Sequence, residues 1–242
     1  RAGQRALALY APAAAVEHLT RAIEASHRLH RPPASRLYRD RGQAHSILGE
    51  FEAARVDAEA ALQLAETAGD RREVWQALLD LGLLWSARDY SQACSYLQRA
   101  LTLAREMDDA ATLAHSLNRM GNWYANNEQP DPALRCHREA LAIFERLDER
   151  RGIAETYDLL GMTASLGGDI AAGLEDAKRA LALFRALGDQ HGLAGTLGMV
   201  ATSSSTVYEA DTTAGGSNLA ESMHLNDEAL ALTREIGWRS GE

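Results

Sequence analysis

Asn118, Asn122 and Asn126 stand four residues apart, a spacing that stacks them along one face of a helix. Each amide offers a donor and an acceptor, which suits recognition of a peptide backbone. Asparagine is a poor helix former, so three on one helix ask for a reason; the competing reading is an ordinary solvated face. Groups that could do catalysis are less organised. His27 and His30 can share a face, with His18 upstream, but exposed histidines at a helix end explain them better than a metal site. Ser203, Ser204 and Ser205 have no identifiable base partner, and Cys94 and Cys136 match no metal spacing. They read as reduced core thiols. Gly192, Gly195 and Gly198 recur every third residue, which lays them on a helix face and does not make a dinucleotide fingerprint. No G-x-x-x-x-G-K-[ST], H-E-x-x-H, G-x-S-x-G or C-x-x-C occurs. The expectation is no catalytic, cofactor-binding or metal-binding residue.

The elements that carry these residues repeat. AALQLAETAGD, RALTLAREMDD, EALAIFERLDE and RALALFRALGD follow one another at a near-constant interval, and EALALTREIGW closes the set. Gly3, Gly42, Gly82, Gly121 and Gly161 keep the same interval, alternating 39 and 40 by subtraction. A small residue follows each glycine at Ala15, Ala54, Ala93, Ala133 and Gly173, and a second alanine at Ala22, Ala61, Ala100, Ala140 and Ala180. Apolar residues at three-and-four spacing, such as Tyr157, Leu160 and Ala164, give each unit two helices. The glycine and the first small residue are placed where the two helices cross, because a mid-helix glycine costs about 1 kcal/mol against alanine and needs a packing reason. Asp70, Asp109, Asp148 and Asp189 follow the second helices, with Gly69-Asp70 and Gly188-Asp189 reading as a helix stop followed by an N-cap.

Composition agrees. The chain of 242 residues is 46% hydrophobic but only 6% aromatic, a balance that favours helix over strand. A net charge of -9 argues against a nucleic-acid surface, which needs clustered Lys and Arg. No apolar run reaches a membrane span and no signal peptide opens the chain, so a cytoplasmic location is expected.

The pattern resembles the tetratricopeptide repeats. Leu81-Gly82 with Trp85, Met120-Gly121 with Tyr124, and Leu160-Gly161 match the family's Leu-Gly-aromatic phrase, and the alanines at 93 and 100 and at 133 and 140 complete it. Two departures are visible: Ala164 stands where an aromatic is usual, and the period is near 40 rather than about 34. The resemblance implies an all-α, right-handed α-solenoid of about six helix-turn-helix repeats, at roughly 1–31, 32–70, 71–109, 110–149, 150–189 and 190–238. It also implies that first helices line a concave face that holds a protein or peptide ligand. Carrying its groove positions over gives Arg36, Arg39, Gln43 and Ser46 in the second repeat, His115, Asn118, Asn122 and Asn126 in the fourth, and Glu155 and Asp158 in the fifth. Trp75, Trp85 and Trp123 are assigned to inter-repeat core.

RAGQRALALYAPAAAVEHLTRAIEA resembles the start of the repeat array in large bacterial ATP-dependent (STAND-type) regulators. That resemblance implies an interaction or inducer-sensing module, with neighbouring domains of a parent chain as partners; a free-standing scaffold and a groove enzyme are the rivals. Gly3 at mid-helix and Gly241 at a repeat start read as cut ends. Part of the apolar face of Ala15, Val16 and Leu19, and that of Ala229, Leu230, Leu232, Ile236 and Trp238, is then expected to lack cover, so that the ends self-associate weakly or fray. About nine extra residues rich in Gly, Ser and Thr, within 203–217, make the last repeat irregular and predict its most mobile region.

Overall fold

The computed structural model describes residues 1–9, 11–210 and 217–235, and their side chains outside 8, 202–210 and 217–222. Among the described residues there are twelve α-helices and no strand. They group into two compact units, Arg1–Asp108 and Asp109–Glu242. The first holds α1 (Ala2–Ala8), α2 (Pro12–Arg28), α3 (Ser35–Ile47), α4 (Phe51–Ala68), α5 (Arg71–Ser86) and α6 (Tyr90–Glu106). The second holds α7 (Ala110–Asn126), α8 (Pro130–Leu147), α9 (Arg150–Leu166), α10 (Ile170–Leu187), α11 (Gln190–Ala210) and α12 (Ser217–Glu235). Within each unit every helix packs on the next, the stacked helix pairs of an α-solenoid. Odd-numbered helices also touch their odd-numbered successors, α1 on α3 and α3 on α5, α7 on α9 and α9 on α11, to a degree the even-numbered ones do not.

The helices start where short acceptors follow a stop. Asp70, Asp109 and Asp169 accept from the backbone N–H three residues on, and Asp89 accepts from Ser91 and Gln92 N–H. Those bonds hold the Asp89 carboxyl below its usual range, the Gln92 amide contributing most. Asp148 follows its helix in another role. It closes α8 in the left-handed region at φ 51°, and Glu149 caps α9. Asp148 therefore stands in register with Gly69 and Gly188, which close α4 and α10 at φ 67° and 68°. An aspartate tolerates that region better than most residues with a side chain.

Alanine makes the pairs close. Ala61, Ala100, Ala140 and Ala180 are all 0% exposed, and side chains this small let packed helices approach closely. The glycine column faces residues one turn beyond the first small residue as well as that residue itself. A Cβ on Gly161 would lie 2.8 Å from the Gly173 carbonyl oxygen, and one on Gly82 would lie 2.7 Å from Leu97. Leu19, Ala58, Leu97, His137 and Ala177 form this facing column. Ala15 and Leu19 are buried, Leu19 against Gly3 of α1, which corrects the expectation for those two residues, while Val16 is half-buried. At the other end Ala229 is buried and Leu232 packs against its cluster, which corrects the expectation for those two residues; Ile236 and Trp238 lie outside the described residues. α11 continues through Ala210, into the segment expected to be mobile, and 211–216 lie outside the described residues.

Hydrogen bonds between side chains tie odd-numbered helices to their successors: Ser35 donates to Glu73, Asn118 to Thr156, Arg151 to Asp189, and Thr196 to Asp158. The two partners stand at the same separation in sequence each time, one short of the repeat interval or two. No helix among the described residues is long and apolar enough to cross a membrane.

Candidate ligand-binding site

The two sets of predicted groove residues lie in different units and are described separately. In the first unit Arg39, Gln43 and Ser46 line a cavity of about 250 Å³ between α3, α4 and α5. Arg39 is already engaged, with Nε donating to Asp80 at 2.6 Å and Nη1 to Glu73 at 3.3 Å. Arg36 does not line this cavity; it is exposed and lies 3.9 Å from Asp40. Arg41, which does not line this cavity, grips the buried Asp57 with two bonds of 2.7 Å and reaches Thr20 of α2. The Asp57 bond pushes the Arg41 guanidinium pKa up, against a burial effect that lowers it.

In the second unit one cavity of about 340 Å³ gathers His115, Asn118 and Asn122 from α7, Glu155 and Asp158 from α9, and residues of α11. Repeat geometry explains the convergence, since Asn118 and Asp158 stand at the same position, three residues before Gly121 and Gly161. Asn126 does not reach it and is exposed. The asparagine row thus runs from buried Asn118 through half-buried Asn122 to exposed Asn126.

Asn118 is 6% exposed, so the structure replaces the picture of a freely solvated amide. Its Nδ2 donates to Thr156 Oγ1 at 2.7 Å, and Thr156 Oγ1 donates to the Gly152 carbonyl at 2.6 Å. Its Oδ1 accepts from His137 Nδ1 at 3.1 Å, with the proton placed on Nδ1. His137 is 0% exposed, and burial lowers its pKa to about 4. It packs on Gly121, in the column that Leu19 and Leu97 occupy elsewhere, and its Nε2 has no partner. His115 sets its ring edge on buried Phe144, centroids 4.9 Å apart.

Asp158 repeats the Asn118 arrangement one repeat on. Thr196 Oγ1 donates to its Oδ1 at 2.6 Å and also lies 2.8 Å from the Gly192 carbonyl. Burial pushes the Asp158 carboxyl up, the Thr196 bond lowers it, and the negative charge of Glu155 raises it further. Arg151 gives Asp158 no cation; it donates to Glu155 at 3.2 Å and to Asp189 at 2.8 Å. Arg119 stands exposed on the cavity lining. Asn122 Oδ1 is screened from solvent and has no partner.

Sequence reasoning missed His137, Thr156, Thr196, Arg119 and Arg151. The hydroxyl column Ser116, Thr156, Thr196, in step with the repeat, was a readable signal for two of them. Among the described residues no group of three His, Cys, Asp or Glu could hold a metal ion.

The family model described as "Tetratricopeptide repeat" matches residues 82–146 and 109–186. No curated protein matches the sequence significantly. Among solved structures, BtubC (BKLC) from P. vanneervenii is similar with a TM-score of 0.71 and 20% identity, over 92% of this chain and 91% of that one. A Rap protein complexed with Competence and Sporulation Factor gives 0.69 and 14%, over 99% of this chain and 69% of that one. A signal transduction ATPase with numerous domains and a tetratricopeptide repeat sensor, from Pyrococcus horikoshii, gives 0.62 and 12%, over 92% of this chain but 36% of that one. At these identities the likeness establishes the fold.

Proposed function

We propose that this chain, which belongs to the tetratricopeptide-repeat family, is a non-catalytic protein- or peptide-interaction module that holds an extended segment against α7, α9 and α11. The carrying observation is convergence: polar side chains from three successive odd-numbered helices meet on one cavity, which suits a ligand that crosses repeats. Donors and acceptors there are fixed by bonds to neighbouring helices, so they meet a ligand preorganised. We read the module as the cytoplasmic inducer sensor of a larger bacterial signalling or transcription regulator. Its likeness to the sensor-bearing Pyrococcus protein, of which it spans 36%, supports that reading. A free-standing scaffold is the second reading, favoured by the 91% coverage of BtubC.

Random-peptide display on the whole chain, followed by calorimetry on the selected peptides, tests the binding reading. Asn122→Ala should weaken binding by about 1 kcal/mol or more at an unchanged melting temperature. Selected peptides that bind the variant as well as the parent chain would sink it.

A further inference from the structure

We propose that the cavity between α3, α4 and α5 is a receptor for one aliphatic side chain of an uncharged peptide segment, seated against Leu83. This cavity lies in the first unit, apart from the one read above as the peptide site, and selects a different chemistry.

Leu83 is 61% exposed although it lines a cavity. It stands one residue after Gly82, the place that Gln43 holds after Gly42 and Asn122 after Gly121. Met162, the other apolar residue at this place, is half-buried. An amide there suits water, whereas an exposed leucine costs hydrophobic free energy that a ligand covering it recovers. Other apolar groups share the recess. Leu84 is half-buried on the lining, and α4 contributes Ala54 and Ala58, whose side chains are methyl groups alone. Ile47, 54% exposed, stands one turn beyond Gln43 on the same face of α3. A single exposed leucine on a convex surface is ordinary. One set in a concave recess, with a second large aliphatic exposed on the neighbouring helix, marks a contact surface.

Charge decides what the ligand can carry. Every charged group on the lining is already paired within the chain. Arg39 donates to Asp80 and Glu73, Gln76 also donates to Asp80, and Asp40 accepts from Gln4 and lies 3.9 Å from Arg36. A charged ligand would have to break one of these pairs or give up water without a counter-charge. Residues 1–108 also carry as many Lys and Arg as Asp and Glu, so the net charge of -9 comes wholly from the second unit. The first unit thus offers an approaching ion no net attraction. The remaining polar groups on the lining, Gln43 and Ser46, are neutral and exposed, and suit the main-chain amides that flank a seated residue. A volume of about 250 Å³ falls below the usual range for small-molecule pockets and fits a single residue.

The test uses the intact chain with isotope-labelled leucine methyl groups and two uncharged probes of like shape, N-acetyl-leucinamide and N-acetyl-asparaginamide, followed by NMR. The leucine probe should produce saturable shifts at the Leu83 and Leu84 methyls. The asparagine probe should bind at least about tenfold more weakly, and N-acetyl-argininamide no better than the asparagine probe. Leu83→Asn should abolish the preference for leucine while the circular dichroism spectrum and melting temperature stay unchanged, because the side chain is largely exposed. Leu166→Asn, at a leucine 65% exposed in the second unit, should leave the preference intact. Equal binding of the leucine and asparagine probes, saturable shifts confined to other surfaces, or a Leu83→Asn variant that still prefers leucine would each overturn the proposal. So would loss of the preference in Leu166→Asn, or tighter binding of the arginine probe at the Leu83 methyls. Any of these failures leaves the peptide-binding reading of the second unit standing, since that reading is tested at Asn122.

Discussion

His137 shows how one residue gives a helical array an acid limit. Its pKa falls from 6.5 to about 4 because the ring is buried, so protonation favours the unfolded chain. Its neutral form contributes stability that is fully present above pH 6.5 and is lost as pH falls from about 6.5 to about 4, on the order of 3 kcal/mol. Urea unfolding at pH 7 and pH 4 should show that loss in the parent chain. His137→Leu, which places there the residue found at Leu19 and Leu97, should remove it, at a cost of about 1 kcal/mol at pH 7 from the orphaned Asn118 oxygen. Asp158 has the opposite sign. A carboxyl raised by burial makes the folded chain bind its proton more tightly than the unfolded chain does. Stability from this group therefore falls as pH rises above its unfolded value of 3.8. Asp158→Asn should leave the protein at pH 7 as stable as before or more so; a clear loss in chemical denaturation would contradict this account.

Helix pairs make a prediction that separates two kinds of glycine. A Cβ on Gly161 meets the Gly173 carbonyl at 2.8 Å, a backbone atom that cannot swing aside. Gly161→Ala should therefore destabilise by about 1–3 kcal/mol despite alanine's better helix propensity. A Cβ on Gly198 in α11 meets nothing within 4 Å, and Gly198→Ala should stabilise by up to about 1 kcal/mol. Paired thermal melts of the two variants check both signs. The glycine column was legible in sequence because a mid-helix glycine is costly enough to stand out. Its facing column was not, because Leu19, Ala58, Leu97, His137 and Ala177 share neither size nor polarity. The Asn118, Asp158 and His115 grouping was readable because equivalent positions in successive repeats stack. The bonds from Asn118 and Asp158 to Thr156 and Thr196 appear only once the helices are side by side.

For the molecule as a whole, the sequence lacks a phosphate loop, and triphosphate binding ordinarily needs backbone amides with a lysine at that spacing. We expect calorimetry with magnesium and ATP to give no tight site on this chain; a saturable heat would contradict the reading of its role. The bonds that join successive odd-numbered helices carry a consequence for how such a chain can change over generations. One residue inserted inside α9 would rotate everything after it by about 100°. Asp158 would turn away from Thr196, so a codon gained or lost there is penalised at once. Duplicating or deleting a whole repeat leaves every surviving bond in phase. Inheritable length variation should therefore arrive as whole repeats, or fall between helices.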